Sequence, residues 1–431
     1  MKILLVSYLF PPDISPRAFR WKAISQQWAE LGHHVDVVTN WKCDLSNKEV
    51  LGNLRVYRVG FSILEQLRYK QQQSCSPEAL MAGEFRRSKF STVLKWIHDF
   101  TWKKVYWPDY ACLWYFYALR KAEELYELEF YEYLITVSLP FTAHLTGVSL
   151  KRRHQSIKWI ADMGDPFCFT ETPMNNQFFF KHLNYKGDET VFKEANYVVV
   201  TVDKCREKYT EIFPSEAEKI VVIPPISRIV RNDHINKSQV FEKNKLILLY
   251  AGNLYRNIRN PSYLLMLLSA LLQNHPEFHD KIEMHFFGNI KEYQLDFNNF
   301  NKQYNILRMH GIVPHHIIRL AEAEADVLVN IGNQTDYQLP SKIVEYAGTG
   351  KPIINIYSTE NDSSYIFLKQ YPLAYQVSTQ GHSAVEHIFS LSQFLNENAG
   401  KVVDSTSLRI FLQPYDVSNI SLQYLNLCVN A

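Results

Sequence analysis

Lys342 and Glu345 fall within one turn of each other where a short helix should begin, in Gln338-Leu-Pro-Ser-Lys-Ile-Val-Glu-Tyr-Ala-Gly-Thr-Gly-Lys-Pro352. Pro340 precedes the helix, Ser341 opens it, and Gly348 to Gly350 stop it. A helix N-terminus carries partial positive charge and unpaired N–H groups, which suits a phosphate. A lysine in the first turn is unfavourable there unless an anion offsets it, so Lys342 points to a bound anion; a plain surface lysine is the bland alternative. Ser341 fits a ligand contact, and equally a simple N-cap. Glu345 lies one turn deeper on the Ser341 face, with Ile343, Val344 and Ala347 on the apolar side. Phosphate at the helix start and a carboxylate in reach of sugar hydroxyls together suit a nucleotide-sugar. Gly252 and Asn253 follow an apolar run, Leu246–Ala251, and a glycine there allows a ligand close to the backbone.

These residues need a scaffold. Apolar runs at 326–331 and 352–356 flank the helix, a strand–loop–helix–strand order typical of parallel α/β sheets, where ligands sit at the carboxyl ends of strands. The chain opens in the same way: strand 2–8, helix 17–31 ended by Gly32, strand 35–39. Further strands are predicted at 133–137, 158–161, 197–201 and 220–223, then at 246–251, 282–287 and 306–310. Helices are expected at 263–272, 314–323, 382–400 and 414–431. The fold class is therefore α/β, with two doubly wound, Rossmann-like domains and a ligand cleft expected between them. The expected boundaries are 1–226 for the first domain, 227–244 for a polar linker, 245–405 for the second domain, and 406–431 for a helical tail packed back on the first.

A chain of 431 residues is too long for one core. Its 46 % hydrophobic and 21 % charged residues are ordinary for a globular protein, and a net charge of +2 gives no case for nucleic acid. The cysteines (Cys43, Cys75, Cys112, Cys168, Cys205, Cys428) form no Cys-x-x-Cys pair, which argues against structural zinc and fits a reducing cytosol. The histidines show no HExxH spacing, so no metal and no cofactor is expected, the nucleotide-sugar being a substrate. The first apolar run is short and ends at Pro11-Pro12, so it reads as a strand rather than a signal peptide. No window reaches the roughly 18 apolar residues of a membrane span.

Several segments in order resemble the retaining GT-B glycosyltransferases of family 4 type, from the branch common in bacterial envelope-polysaccharide clusters. They are Phe10-Pro-Pro-Asp-Ile-Ser-Pro-Arg-Ala-Phe-Arg20, Ala29-Glu-Leu-Gly-His-His-Val-Asp-Val-Val-Thr39, Trp159-Ile-Ala-Asp-Met-Gly-Asp-Pro-Phe167, Tyr250-Ala-Gly-Asn-Leu254 with Arg259-Asn-Pro261, and Pro340-Ser-Lys-Ile-Val-Glu-Tyr346 with Gly350-Lys-Pro352. The resemblance covers nearly the whole chain. It implies two Rossmann-like domains facing each other across a cleft, the acceptor on the first and the donor on the second. It also implies that Glu345 grips the nucleotide ribose and that a cation in the Arg256–Arg259 loop meets the diphosphate. Arg259 matches that position best, and Arg256 stays open. The family often has two glutamates with seven residues between them. Here the first position is Tyr337, and either Asp336 takes over or no carboxylate does.

In the first domain, Asp165 before Pro166 is placed to meet the acceptor hydroxyl or the donor sugar, with Asp162 as the alternative and a loop cap as the structural explanation. Arg17 and Arg20 enter the first helix and suit an anionic acceptor such as a lipid diphosphate, or plain solvent. His144 reads as structural. Residues 84–107 interleave Arg86, Arg87, Lys89, Lys95, Lys103 and Lys104 with Trp96, Trp102, Tyr106 and Trp107, which suits an anionic membrane surface or a helix packed on the first domain. The expected activity is hexosyl transfer, with retention, from a nucleotide-sugar to a lipid-linked glycan of a lipopolysaccharide O-antigen, capsule or exopolysaccharide. It would occur in the cytoplasm or peripherally on the inner face of the plasma membrane. A nucleotide-sugar epimerase of the same fold and an inactive nucleotide-sugar-binding partner subunit are the rival readings.

Overall fold

A computed structural model describes residues 1–61, 105–170, 175–227, 240–242, 244–256, 259–333, 335–380 and 384–430. The chain divides into two compact units: Met1–Pro225 with Val417 onward, and Ile226–Asp416.

The first unit holds β1 (Lys2–Ser7), α1 (Pro16–Glu30), β2 (His34–Asn40), β3 (Lys48–Leu51), β4 (Leu54–Val59), α2 (Trp114–Leu128), β5 (Tyr133–Ser138), α3 (Thr142–Arg153), β6 (Lys158–Met163), α4 (Gln177–Glu194), β7 (Tyr197–Val200), α5 (Asp203–Ile212) and β8 (Ile220–Val222). The sheet order is β3-β4-β2-β1-β5-β6-β7-β8. Only the β3–β4 hairpin is antiparallel. Strands buried on both faces read as continuous apolar runs, as in Ile3-Leu-Leu-Val6, which are fully buried. Helix α1 starts cleanly because Ser15 accepts the Ala18 N–H at 3.0 Å and Pro16 needs no N–H partner.

The second unit holds β9 (Leu246–Ala251), α6 (Ser262–Asn274), β10 (Ile282–Phe287), α7 (Gln294–Tyr304), β11 (Leu307–Gly311), α8 (His315–Glu324), β12 (Val327–Ile331), α9 (Ser341–Gly348), β13 (Ile353–Tyr357), α10 (Ser363–Leu368), β14 (Ala374–Ser378), α11 (Ile388–Asn398) and α12 (Ser405–Leu412). Its all-parallel sheet runs β11-β10-β9-β12-β13-β14. The side chains of β9 alternate between two cores. Ile247, Leu249 and Ala251 join Ile343, Val344 and Ala347 of α9, while Leu248 and Tyr250 join Leu264, Leu268 and Phe297. Burying Ile343 and Val344 is worth about 1.5–3 kcal/mol each, which fixes the roll of the short α9 and hence the face it offers elsewhere.

The fold class matches the sequence expectation. The β3–β4 hairpin and β14 were not expected. The stretch expected as a single tail is divided. Leu408 and Leu412 of α12 sit in the second unit's core. The last helix, α13 (Val417–Asn430), belongs to the first unit, where Trp28 Nε1 donates to Ser421 O at 3.1 Å and Trp21 packs edge-on against Tyr424. Among the described residues no helix is long and apolar enough to cross a membrane. Of the segment 84–107, residues 84–104 lie outside the described residues.

Candidate functional site

In the second unit the chain winds outward from β9 through β10 to β11, then returns to β12 beside β9. Val327 and Leu328 pair with Leu248 and Leu249. Crossovers therefore leave in opposite directions between β9 and β12, and the strand ends there form the cleft typical of ligand sites in open α/β sheets.

Arg259, Lys342 and Glu345 are gathered at this point. Arg259 Nε donates to Asn333 Oδ1 at 2.8 Å, just past β12. Its guanidinium also bonds the Tyr250 hydroxyl at the end of β9. That phenol is pushed up to about 12 by burial, which Arg259 opposes. Lys342 donates its ammonium to the Ala251 carbonyl, the last of β9, and Tyr346 accepts the Ala251 N–H at 2.8 Å. Helix α9 is thus bolted to the end of β9 by two side chains one turn apart. Burial holds Lys342 down at about 8. The Glu322 and Glu345 carboxylates pull it up, and Arg259 pushes it further down. Two half-buried cations beside each other leave the cluster short of negative charge even with Glu345 close by, since Glu322 is held toward its neutral form, and a diphosphate would make up that shortfall.

Ser341 is the first residue of α9. The cap position falls on Pro340, and no side chain caps the helix, so Ser341 is half-buried at a helix start without serving as its N-cap. Glu345 is half-buried one turn on. Glu322 of α8 faces the same cluster and was not anticipated. It is 7 % exposed, and burial with the nearby Glu345 charge pushes it up to about 8, against Lys342 and Arg319. Asn333 and Tyr250 were missed as well.

Gly252 and Asn253 follow β9, as expected, and bond to the loop after β10. The Gly252 N–H is spent on Phe287 O at 2.7 Å. Asn253 Oδ1 accepts the Asn289 N–H at 2.9 Å, and its amide donates to Tyr255 Oη. Both residues therefore lock the β9 and β10 loops together. The close approach their sequence suggested is to Gly288, where an added Cβ would lie 2.2 Å from Gly252 O. Arg256 is exposed, and its backbone N–H goes to Glu292 at 3.0 Å. Tyr337 is buried at 4 % exposure. Asp336 is half-buried beside it, its carbonyl accepting from Ser363 Oγ at 2.7 Å.

In the first unit Asp162, at the end of β6, is fully buried. It accepts Trp21 Nε1 at 2.7 Å and lies 3.4 Å from Arg17 Nη1. Arg17 lies over Gly164, where any Cβ would strike its guanidinium. Asp165 is half-buried one residue on. Arg20 does not join them, contrary to the acceptor role expected for it. It is 3 % exposed, and its guanidinium is spent on the carbonyls of Pro224 and Ile223 and on Tyr424 Oη at 3.0 Å. That set of bonds ties α1, the end of β8 and α13. His144 is structural: fully buried, bonded to Thr136 Oγ1 at 2.7 Å, and held down to about 3 by burial and then by Arg17.

Among the described residues no group of three or more His, Cys, Asp or Glu side chains could hold a metal ion. No protein-family model matches the sequence, and no curated protein matches it. Solved structures do. Sucrose-phosphate synthase from Thermosynechococcus elongatus is 15 % identical with a TM-score of 0.64, over 100 % of this chain and 98 % of that one. HepE from Anabaena, in complex with UDP-glucose, is 13 % identical with a TM-score of 0.57, over 100 % of both chains. An E. coli trehalose-6-phosphate structure bound with UDP-2-fluoro glucose is 11 % identical with a TM-score of 0.62, over 99 % of both. At these identities the likeness is one of fold, and the fold is GT-B, built of two Rossmann-like units.

Proposed function

We propose that the protein is a retaining glycosyltransferase of family 4 type that moves a hexosyl group from a nucleotide-sugar to a glycan acceptor. One observation carries this reading: Arg259, held by Asn333 and Tyr250, and Lys342, held by Ala251, converge at the switch point of the second sheet, with Glu345 one turn along the same helix. The two cations would stabilise the diphosphate as the glycosidic bond breaks and charge develops on the leaving oxygen. Glu345 would take the ribose hydroxyls. In a front-side substitution the leaving phosphate helps to accept the acceptor proton, so no protein nucleophile is needed. Asp165 and Arg17 would then handle the acceptor, Asp165 at its hydroxyl and Arg17 at an anionic group such as the phosphate of a lipid carrier. Neighbours of the same fold bound to UDP-glucose and UDP-2-fluoro glucose support a sugar nucleotide as donor. A lipid-linked acceptor on the cytoplasmic membrane face, in envelope-polysaccharide assembly, follows from the sequence resemblance and the basic composition of 84–107.

The test is calorimetry with nucleoside diphosphates, followed by transfer assays with sugar nucleotides and isolated lipid-linked glycans, the anomeric configuration of the product being read by NMR. Absence of diphosphate binding, or a product of inverted configuration, would overturn the reading. Burial of Tyr337 where a carboxylate is common favours a second reading, a donor-binding subunit without turnover. Tight diphosphate binding with no transfer across the donor panel would select it.

A further inference from the structure

Strands β1, β2 and β4 are neighbours in the first sheet and run parallel, so their carboxyl ends lie along one edge. Each end is followed by an aromatic residue: Tyr8 just past β1, Trp41 past β2, and Phe61 past Gly60 at β4. Backbone bonds keep these exits together. Tyr8 O accepts Thr39 Oγ1 at 3.0 Å and the Asn40 N–H at 3.3 Å, and Asn40 pairs with Val59. Trp114, at the start of α2, is the base of the group. It is buried, its Nε1 donates to Val59 O at 3.1 Å, and its ring meets Tyr8 edge-on at 5.2 Å. Gly60 lets the chain pass this ring, since an added Cβ would lie 3.2 Å from Trp114 Cδ1. Tyr8 also meets Tyr110 edge-on at 5.6 Å, and Trp41 lies 6.1 Å from Phe61 with the planes 32° apart. Three strand ends and one helix thus build an aromatic rim, of which Phe61 is 59 % and Tyr110 42 % exposed.

The polar groups beside the rim add no net charge. Lys42, next to Trp41, donates to Asp13 Oδ1 at 2.6 Å, and both side chains are largely shielded. Asp13 is also near Tyr110, whose phenol is pushed up by burial and then by Tyr8, Asp109 and Asp13. A carboxylate in place and a lysine already paired with it disfavour an anionic ligand. What fits is a neutral ring with an apolar face for the aromatic side chains and hydroxyls at its edge for Asp13, which describes a pyranose. Strand carboxyl ends are where such sheets take ligands. Arg17, Asp162 and Asp165 gather around the end of β6, three strands from β2 and four from β4. At about 4.8 Å per strand that is roughly 14–19 Å, farther than a single pyranose reaches.

We propose that the aromatic rim binds a neutral pyranose, a sugar of the acceptor glycan other than the one that reacts near Asp165. The acceptor is then an oligosaccharide, held along the sheet edge from β4 to β6. Assigning that sugar to an acceptor rests on the proposed function; the binding itself needs no donor.

The experiment is saturation-transfer NMR on the full chain, irradiated at aromatic frequencies, with methyl glucoside, methyl galactoside, methyl N-acetylglucosaminide, cellobiose and lactose as probes. At least one should be saturated, chiefly at the C–H protons of one ring face. Phe61→Ala and Tyr110→Ala should each raise its Kd about threefold to tenfold, while Phe61→Tyr and Tyr110→Phe keep it. Both side chains are exposed, so the alanine variants should keep the wild-type melting temperature. Uridine diphosphate is titrated in parallel by calorimetry. A saturated glycoside without diphosphate binding removes the transferase reading and leaves the rim standing. Diphosphate binding with no glycoside saturated overturns the rim and leaves the transferase reading; failure of both overturns both. Alanine variants that bind like wild type, or a conservative pair that loses as much as the alanines, also overturn the proposal. So does uridine that displaces the glycoside, or diphosphate binding lost in Tyr110→Ala, since either assigns the rings to a base.

Discussion

Arg259 and Asn333 are joined by a 2.8 Å hydrogen bond across 74 residues of sequence, tying the loop after β9 to the end of β12. The bond uses one edge of the guanidinium. With Tyr250 as a second tether, the side chain is held in place before any ligand arrives, so little of its conformational freedom is left to lose on binding.

Arg259→Ala should therefore weaken nucleoside-diphosphate binding by about 1.5–3 kcal/mol, the range for charge-assisted hydrogen bonds, or roughly 10- to 150-fold in Kd by calorimetry. Asn333→Ala should cost less, about threefold to tenfold, because it frees the guanidinium without removing it. Equal losses for the two variants would mean that Asn333 contacts the ligand itself.

Lys342 and Glu322 give the site a pH dependence with a definite sign. Lys342 titrates near 8, so diphosphate affinity should fall as pH rises through 8. Lys342→Met should lose affinity at pH 7 and remove that fall. Glu322 is raised from 4.5 to about 8, so its contribution to stability is complete below 4.5 and is lost as pH rises toward 8. Glu322→Gln, a neutral mimic of the protonated acid, should gain melting temperature relative to wild type across that window. The gap should stop widening above 8.

Gly288→Ala tests the locked loops. The backbone φ of Gly288 is 124°, and a Cβ would meet Gly252 O at 2.2 Å. Because the obstruction is backbone, relief requires β9 and β10 to part, at a cost of about 1–3 kcal/mol in denaturant melts. Diphosphate affinity should fall with it, since Ala251 and Tyr250 hold both cations. Unchanged affinity would separate the loops from the site.

Arg17 and Arg20 differ by one turn of helix, and their variants should separate in acceptor KM. Arg20→Ala leaves the Pro224 and Ile223 carbonyls and Tyr424 without their partner, and should cost about 1–3 kcal/mol of stability with acceptor KM unchanged once folded protein is measured. Arg17→Ala should raise acceptor KM as well as cost stability, because buried Asp162 loses its cation and keeps only the Trp21 hydrogen bond. A reversal would exchange their roles.

Strands buried on both faces were legible because they need only apolar residues: Ile3–Val6 and Leu246–Ala251 cannot be read otherwise. The β3–β4 hairpin was not. Val50 and Leu51 of β3 are exposed, and Arg55 of β4 is charged for a reason no local pattern holds, its pairing with Asp36 at 2.6 Å and Glu129 at 2.7 Å. β14 is a half-buried edge strand with little apolar signal. At the site, Lys342 stood out because its charge is wrong for its place on a helix. Asn333, Tyr250 and Glu322 did not, because their roles arise only when the crossover sets β12 beside β9. Arg20 misled for the same reason: its partner Tyr424 lies 404 residues away.

Helix α13 has a consequence for synthesis. Trp21, Trp28 and Arg20 are made early, yet Tyr424 and Ser421, which cover and satisfy them, are translated only after the whole second unit. The second unit's sequence is made in full before they are, while the first unit waits with two tryptophans uncovered. A ribosome that stops shortly before Val417 would thus release a finished second unit joined to an unfinished first one. Such a chain should be a preferred client of chaperones and proteases that recognise exposed aromatic surface.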